Sequence, residues 1–339
     1  MRSCAASRFL CTLLFAAVSC GAVSAAKTFH VEKRWVVGGA GGWDYLAADP
    51  ANHRLYLTHT DRVEVLDTRT GKVVGQIAGL TRTHGVALIP GSTSGFITDG
   101  GANQVVAFET TTLAATAHIP AGTNPDGIAY EPMTKTVWAF NGRSSDVTAI
   151  DAVLKKPVGT IPLPGKPEFP QADGKGNIFV NIEDKNEIVR LDAKTMKITA
   201  TWPLAGCSSP SGMAIDRAGM RLFSVCNGEK MVVTDATTGS NLATPPIGDG
   251  PDAAGYDAKR KLAFSSNGEG TLTIVDAEKA GYPVLQTVAT EKGARTMCFD
   301  PGDGKVYLVT AKFAPVDPAT PKARPTPLAG SFVVLVVGR

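Results

Sequence analysis

An acid that closes an alternating apolar strand recurs along this chain at a nearly constant interval, and few folds accommodate such a repeat. The strand reads Val63-Glu64-Val65-Leu66-Asp67, Val105-Val106-Ala107-Phe108-Glu109 and Val147-Thr148-Ala149-Ile150-Asp151, then Ile188-Val189-Arg190-Leu191-Asp192, Met231-Val232-Val233-Thr234-Asp235 and Leu272-Thr273-Ile274-Val275-Asp276. Its closing acids, at 67, 109, 151, 192, 235 and 276, are 42, 42, 41, 43 and 41 residues apart. Turns such as Asp67-Thr68-Arg69-Thr70-Gly71-Lys72 follow, where Asp can bond its own backbone and Gly tolerates positive φ. A period of about 40–45 residues with four short strands per unit is the pattern of propeller blades.

Six complete units leave the two chain ends over. Residues 294–309 supply two strands of another unit and Phe332 to Val337 a third. Its missing outer strand is expected in Phe29 to Val37, ahead of the first full unit. Pairing the N-terminal strand with the C-terminal one would close the ring and remove both exposed edges. The expectation is therefore an all-β, seven-bladed β-propeller spanning residues 27–339 as one domain, and a monomer. The 36 Gly and 22 Pro of the 339 residues suit so many turns.

This strand–Asp–turn–strand pattern, with second strands such as Leu55-Tyr56-Leu57 and Val306-Tyr307-Leu308, resembles the YVTN-type β-propeller repeat family, which includes the YncE-like periplasmic proteins. The resemblance covers nearly the whole of residues 27–339 and implies architecture; the family shares no single reaction. WD40 repeats fit less well, since the sole Trp-Asp, at 43–44, precedes a first strand. Quinoprotein propellers dock Trp periodically, and Trp35, Trp43, Trp138 and Trp202 read as out of phase.

Residues 1–26 read as a signal peptide. Arg2 and Arg8 precede an apolar run, Phe9 to Val18, too short to span a bilayer, and Val23-Ser24-Ala25-Ala26 suits a signal peptidase. Lipidation at Cys20 is the rival reading. Either way the expectation is a periplasmic or secreted protein, with no later transmembrane segment. Removing the leader takes two Arg and no acid, so the net charge falls from +3 to +1. That balance supports no nucleic-acid partner, although some YncE-like proteins are linked to DNA.

Aligning the blades places one residue of each where the chain begins its inner strand: Asp44, His84, Asp126, Glu168, Ser211, Asp252 and Arg295. This channel-mouth ring admits three readings. It could be a solvated rim in which Arg295 neutralises Asp252 and Asp44. It could hold a divalent metal through His84, Asp126 and Glu168, since imidazole with two carboxylates suits Zn²⁺ or Mn²⁺ and more carboxylate suits Ca²⁺. Or it could bind a small polar ligand or peptide by direct hydrogen bonds.

The second set of loops on this face carries Asp99-Gly100, Asn141-Gly142, Asn227-Gly228 and Asn267-Gly268, which read as turn dipeptides. His59 lies in the corresponding loop of the first blade, where a solvated histidine is the plainer expectation. Between Ala311 and Gly330, Pro315, Pro318, Pro321, Pro325 and Pro327 predict an extended loop, a candidate lid or docking arm over the mouth. Export makes a Cys207–Cys226 disulfide reasonable, since both fall at one face of blade five, and leaves Cys298 as a buried free thiol.

No Gly-x-Ser-x-Gly, Walker, His-Glu-x-x-His or Cys-x-x-Cys-His motif occurs. The first functional reading is an exported, non-catalytic propeller that binds an unknown ligand or envelope protein through its top face. The alternative is a metal-dependent hydrolase resembling the gluconolactonase type, in which His84, Asp126 and Glu168, with Asp252 as a further candidate ligand, would hold a metal that activates water.

Overall fold

The computed structural model describes Met1, residues 28–315 and residues 325–339. The leader, its cleavage site and Cys20 lie outside the described residues. No helix occurs among those described, and hence none long and apolar enough to cross a membrane.

Seven antiparallel four-stranded sheets make up the described residues. Blade 1 runs through Leu46–Asp49, Arg54–His59, Arg62–Asp67 and Val73–Ile77, from the inside outward, and the next five blades repeat that order. Blade 7 combines Thr296–Asp300, Lys305–Thr310 and Val333–Gly338 with His30–Val36 as its outer strand. Val31 faces Val337 and Trp35 faces Val334 in that last pairing. The inner strands touch their neighbours all round, with blade 7 against blade 1. The fold is thus a seven-bladed β-propeller closed by its terminal strands, as the repeat spacing predicts.

Burial explains the repeat. The third residue of each second strand is aromatic: Tyr56, Phe96, Trp138, Phe179, Phe223, Phe264 and Tyr307, all fully buried. They pack into wedges between adjacent blades, so the apolar core is shared out between sheets. Asp67, Asp151 and Asp235 each accept backbone N–H bonds from residues two and three further on. That fixes the hairpin which returns the chain to the outer strand. Four residues after the acid, the backbone is left-handed in five of the six blades, at Gly71, Leu113, Lys155, Met196 and Gly239.

Two of the four tryptophans share a register after all. Trp35 and Trp202 stand opposite Val334 and Ile188, where other outer strands place Ile77, Ile119 and Ile161 opposite Val63, Val105 and Val147. Each covers the turn glycine of the following blade. A Cβ on Gly71 would lie 2.3 Å from the Trp35 ring, and one on Gly239 would lie 2.3 Å from that of Trp202. Where the outer strand carries isoleucine, the turn carries a larger residue, Leu113, Lys155 or Met196. Side-chain volume is exchanged across the blade boundary.

Cys207 and Cys226 are joined, with Cα atoms 5.4 Å apart. Cys298, on the inner strand of blade 7, is the free cysteine among the described residues, and burial pushes its thiol pKa well up. The base of the Pro-rich segment is a short antiparallel ladder, not simply an extended loop. Leu328 N–H donates to Lys312 O, Ala314 N–H donates to Thr326 O, and Phe313 bridges Pro327. The prolines leave these donors in place, which is why pairing survives here. Residues 316–324 lie outside the described residues.

Candidate functional site at the channel mouth

The backbone aims the ring residues inward by the same device in five blades. In blades 2 to 6 the ladder between the first and second strands slips just past Thr83, Pro125, Pro167, Pro210 and Pro251. The next residue falls in that bulge: His84, Asp126, Glu168, Ser211 and Asp252. A bulge re-aims a side chain while the strand continues. Glycine follows in three of these blades. A Cβ on Gly127 would come within 2.6 Å of Glu168 O, and one on Gly212 within 2.6 Å of Asp252 O. Glycine at these sites lets adjacent inner strands approach closely enough to bring the ring together.

Inter-blade hydrogen bonds fix the ring's backbone. Tyr45 N–H donates to His84 O at 3.1 Å, Thr98 Oγ1 donates to Asp126 O at 2.6 Å, and Ala253 N–H donates to Arg295 O at 3.1 Å. Ser211 belongs to this lock: its hydroxyl donates to Pro251 O at 3.2 Å. The remaining six ring residues are charged or titratable.

His84 is 5 % exposed, and its Nδ1 lies 2.6 Å from Asp44 Oδ2 and 3.7 Å from Asp126 Oδ1. Burial opposes protonation of the imidazole, but the hydrogen bond to Asp44 and the charges of Asp126 and Asp44 prevail, and its pKa is raised. Burial raises Asp126, to about 6, with His84 pulling down and Asp44 and Asp252 pushing up. Glu168 is raised further, to about 8, by burial and then by Asp126, against the pull of Lys166. Lys166 Nζ sits 2.6 Å from Glu168 Oε1 and also contacts Glu183. Arg295 Nε lies 3.2 Å from Asp252 Oδ2.

One donor set comes together among the described residues: Asp44, His84 and Asp126, each offering a ligand atom within 4.8 Å of the others. The sequence reading grouped His84 and Asp126 with Glu168. The third donor here is Asp44, because the imidazole turns back toward blade 1 while Lys166 holds the Glu168 carboxylate. His59 is not on the rim either. It is fully buried, stacked on Phe332 at 4.2 Å, with Nδ1 at 2.9 Å from Arg62. Of the turn dipeptides, Asp99, Asn141 and Asn267 bury their side chains. Asp99 accepts from Thr81 and Arg82 N–H, and Asn141 and Asn267 donate to threonine hydroxyls.

Tyr45 has no counterpart in the sequence reading. It follows Asp44, is 5 % exposed, and its ring reaches Phe169 of blade 4 at 4.7 Å, crossing the channel. Burial and the charges of Asp252, Glu168, Asp44 and Asp126 raise its pKa well above the ordinary phenol value, placing its hydroxyl among the ring acids. The only advance signal was an aromatic residue beside a ring acid.

Fold and site together define the class, a seven-bladed β-propeller with a charged channel mouth. No family model matches the chain, and no curated protein matches it. Solved structures do. The chain is similar to Kuenenia stuttgartiensis hydrazine synthase at 17 % identity and a TM-score of 0.71, over 79 % of this chain and 92 % of that one. It is similar to U3-55K at 9 % identity and 0.73, over 91 % and 98 %. It is also similar to the RRP9 WD40 repeats at 10 % identity and 0.75, over 91 % and 97 %. At these identities the likeness is one of fold.

Proposed function

We propose that this is an exported, non-catalytic binding propeller of the YVTN type, whose channel mouth receives a small ligand or partner side chain bearing a positive charge. The observation that carries this reading is the crowding of four carboxylates in the ring. Asp44, Asp126, Glu168 and Asp252 face Lys166 and Arg295, and the one imidazole is shared by two carboxylates. Burial and mutual repulsion hold Asp126 and Glu168 above the ordinary carboxylate range, and an incoming cation would relieve that repulsion. Tyr45 and Phe169 lie beneath it, so the site opens toward the top face. Export draws support from the leader-like residues 1–26 and the Cys207–Cys226 bridge, since disulfides persist in oxidising compartments. Envelope proteins presenting a lysine or arginine side chain are the matching partner class.

The test is calorimetric titration with spermidine and with lysine amide, on the unaltered protein and on an Asp44→Asn, Asp126→Asn variant. Binding that the variant loses supports the reading. Absence of binding to both amines sinks it.

A second reading, a divalent cation in the same place, is favoured by the convergence of Asp44, His84 and Asp126 donors. One imidazole nitrogen and two carboxylates suit Zn²⁺ or Mn²⁺. Plasma mass spectrometry of untagged protein decides it. One metal per chain, lost in the variant, would put the metal-dependent hydrolase ahead and call for a lactone and ester screen.

A further inference from the structure

The far end of the channel holds a separate space. A cavity of about 870 Å³ runs from Leu46, Phe169 and Gln171 down to the turns joining the first and second strands of blades 5, 6 and 7. None of the seven ring residues lines it. Its size falls in the ~300–1,000 Å³ range of small-molecule sites. Leu46, Phe169, Met297, Cys298 and Phe299 give the inner part an apolar wall, and the polar groups gather at the outer turns.

Those polar groups are unequal. Every carboxylate on the wall is already committed to its own turn. Asp216 takes Arg221, Asp257 takes Arg260 together with the backbone N–H of Lys259, and Asp303 accepts from Tyr307 and from Lys305 N–H. Two cations are left. Neither Arg217 nor Lys259 forms an ion pair among the described residues; Arg217 spends one N–H on Ala172 O at 2.9 Å. Although Arg217 is exposed as a residue, crowding around its guanidinium lowers its pKa, with Asp173 alone pulling the other way. At the edge of an apolar cavity, a guanidinium with no carboxylate partner has N–H donors to offer an anion.

We propose that this cavity is a second ligand site, on the face opposite the acidic ring, for an amphipathic carboxylate of medium-chain fatty-acid size. The chain would lie against Leu46, Phe169, Met297 and Phe299, and the carboxylate would meet Arg217 and Lys259. The ring at the top face selects the opposite charge, so each end of one channel has its own ligand class. The inference stands on the lower cavity alone and does not depend on what the ring binds.

The experiment is calorimetric titration of the protein with decanoate and with decylamine, which share a chain length and differ in charge. Decanoate is expected to bind at least about tenfold more tightly than decylamine, a difference of about 1.4 kcal/mol. An Arg217→Gln, Lys259→Gln variant should lose about tenfold for decanoate, while Asp44→Asn, Asp126→Asn leaves it unchanged. Decanoate should also slow alkylation of Cys298, which lines the cavity. The proposal is overturned if decanoate fails to bind at about 1 mM, if the amine binds equally well, or if Asp44→Asn, Asp126→Asn, not Arg217→Gln, Lys259→Gln, removes binding.

Discussion

The ring of Tyr45, on blade 1, meets the ring of Phe169, on blade 4, edge-on at 4.7 Å across the middle of the channel. The two positions are 124 residues apart in sequence. Their contact sets the acidic mouth apart from the lower cavity, and it ties together blades that share no sheet.

A double-mutant cycle on Tyr45→Ala and Phe169→Ala tests that contact. Aromatic pairs in this geometry contribute about 0.5–1.5 kcal/mol beyond area burial. Urea denaturation of the four proteins should show coupling of about 1 kcal/mol. Strictly additive losses would mean that the rings are neighbours without energetic consequence.

Titration of His84 reports on the mouth. Its pKa is raised above the ordinary 6.5. Proton NMR should therefore find a midpoint above that value, and Asp44→Asn should lower it. The contribution of His84 to stability is fully present below the unfolded pKa and is lost as pH rises through the folded one. A midpoint below 6.5 would show that burial outweighs the two carboxylates.

Glu168 carries the opposite liability. Its folded pKa, near 8, stands above the ordinary 4.5, so the folded state keeps a proton that the unfolded chain releases. Stability should fall between those two values as pH rises. Glu168→Gln should therefore be the more stable protein at about pH 9, by roughly 1–2 kcal/mol, and close to the parent at about pH 5. An equal gap at both pH values would assign the titration to another group.

Opening the disulfide removes a constraint on the unfolded chain. Cys207 and Cys226 are 19 residues apart, and a loop of that order contributes about 3 kcal/mol in the chain-entropy account. The double serine variant should lose about 2–4 kcal/mol in chemical denaturation. Alkylation of the oxidised, denatured parent should mark Cys298 and leave Cys207 and Cys226 untouched.

Gly239 and Trp202 form a lock that one methyl group would break. Gly239 has φ of +79°, and an added Cβ would stand 2.3 Å from the indole. Gly239→Ala should cost about 2 kcal/mol or more in thermal unfolding. Replacing Trp202 by isoleucine, the residue that three other blades carry there, should reduce that penalty. A penalty unchanged by Trp202→Ile would assign the whole cost to the backbone.

The blades were legible because their signal is periodic. Asp67, Asp151 and Asp235 each make the same turn for the same local reason, and local reasons survive in sequence. The ring positions were legible through that same phase. What each ring residue meets was not, because His84 chooses between blades 1 and 3, and Lys166 reaches Glu168 from two residues away. Tyr45 escaped notice for a related cause: crossing the channel depends on which blades stand opposite, a property of the closed ring. Trp35 and Trp202 seemed unrelated because Trp35 belongs to a strand supplied from the other end of the chain.

Blade 7 also imposes an order of events in time. Its outer strand, His30–Val36, is made first among the described strands, and its partner, Val333–Gly338, is made last. Roughly 300 residues separate them, so at ~5–20 residues per second the first strand waits for roughly 15–60 s. Through that interval the other six blades can form while the circle stays open. The nascent chain then shows water the very surfaces that the finished molecule hides, and the protein needs shelter until its final strand arrives.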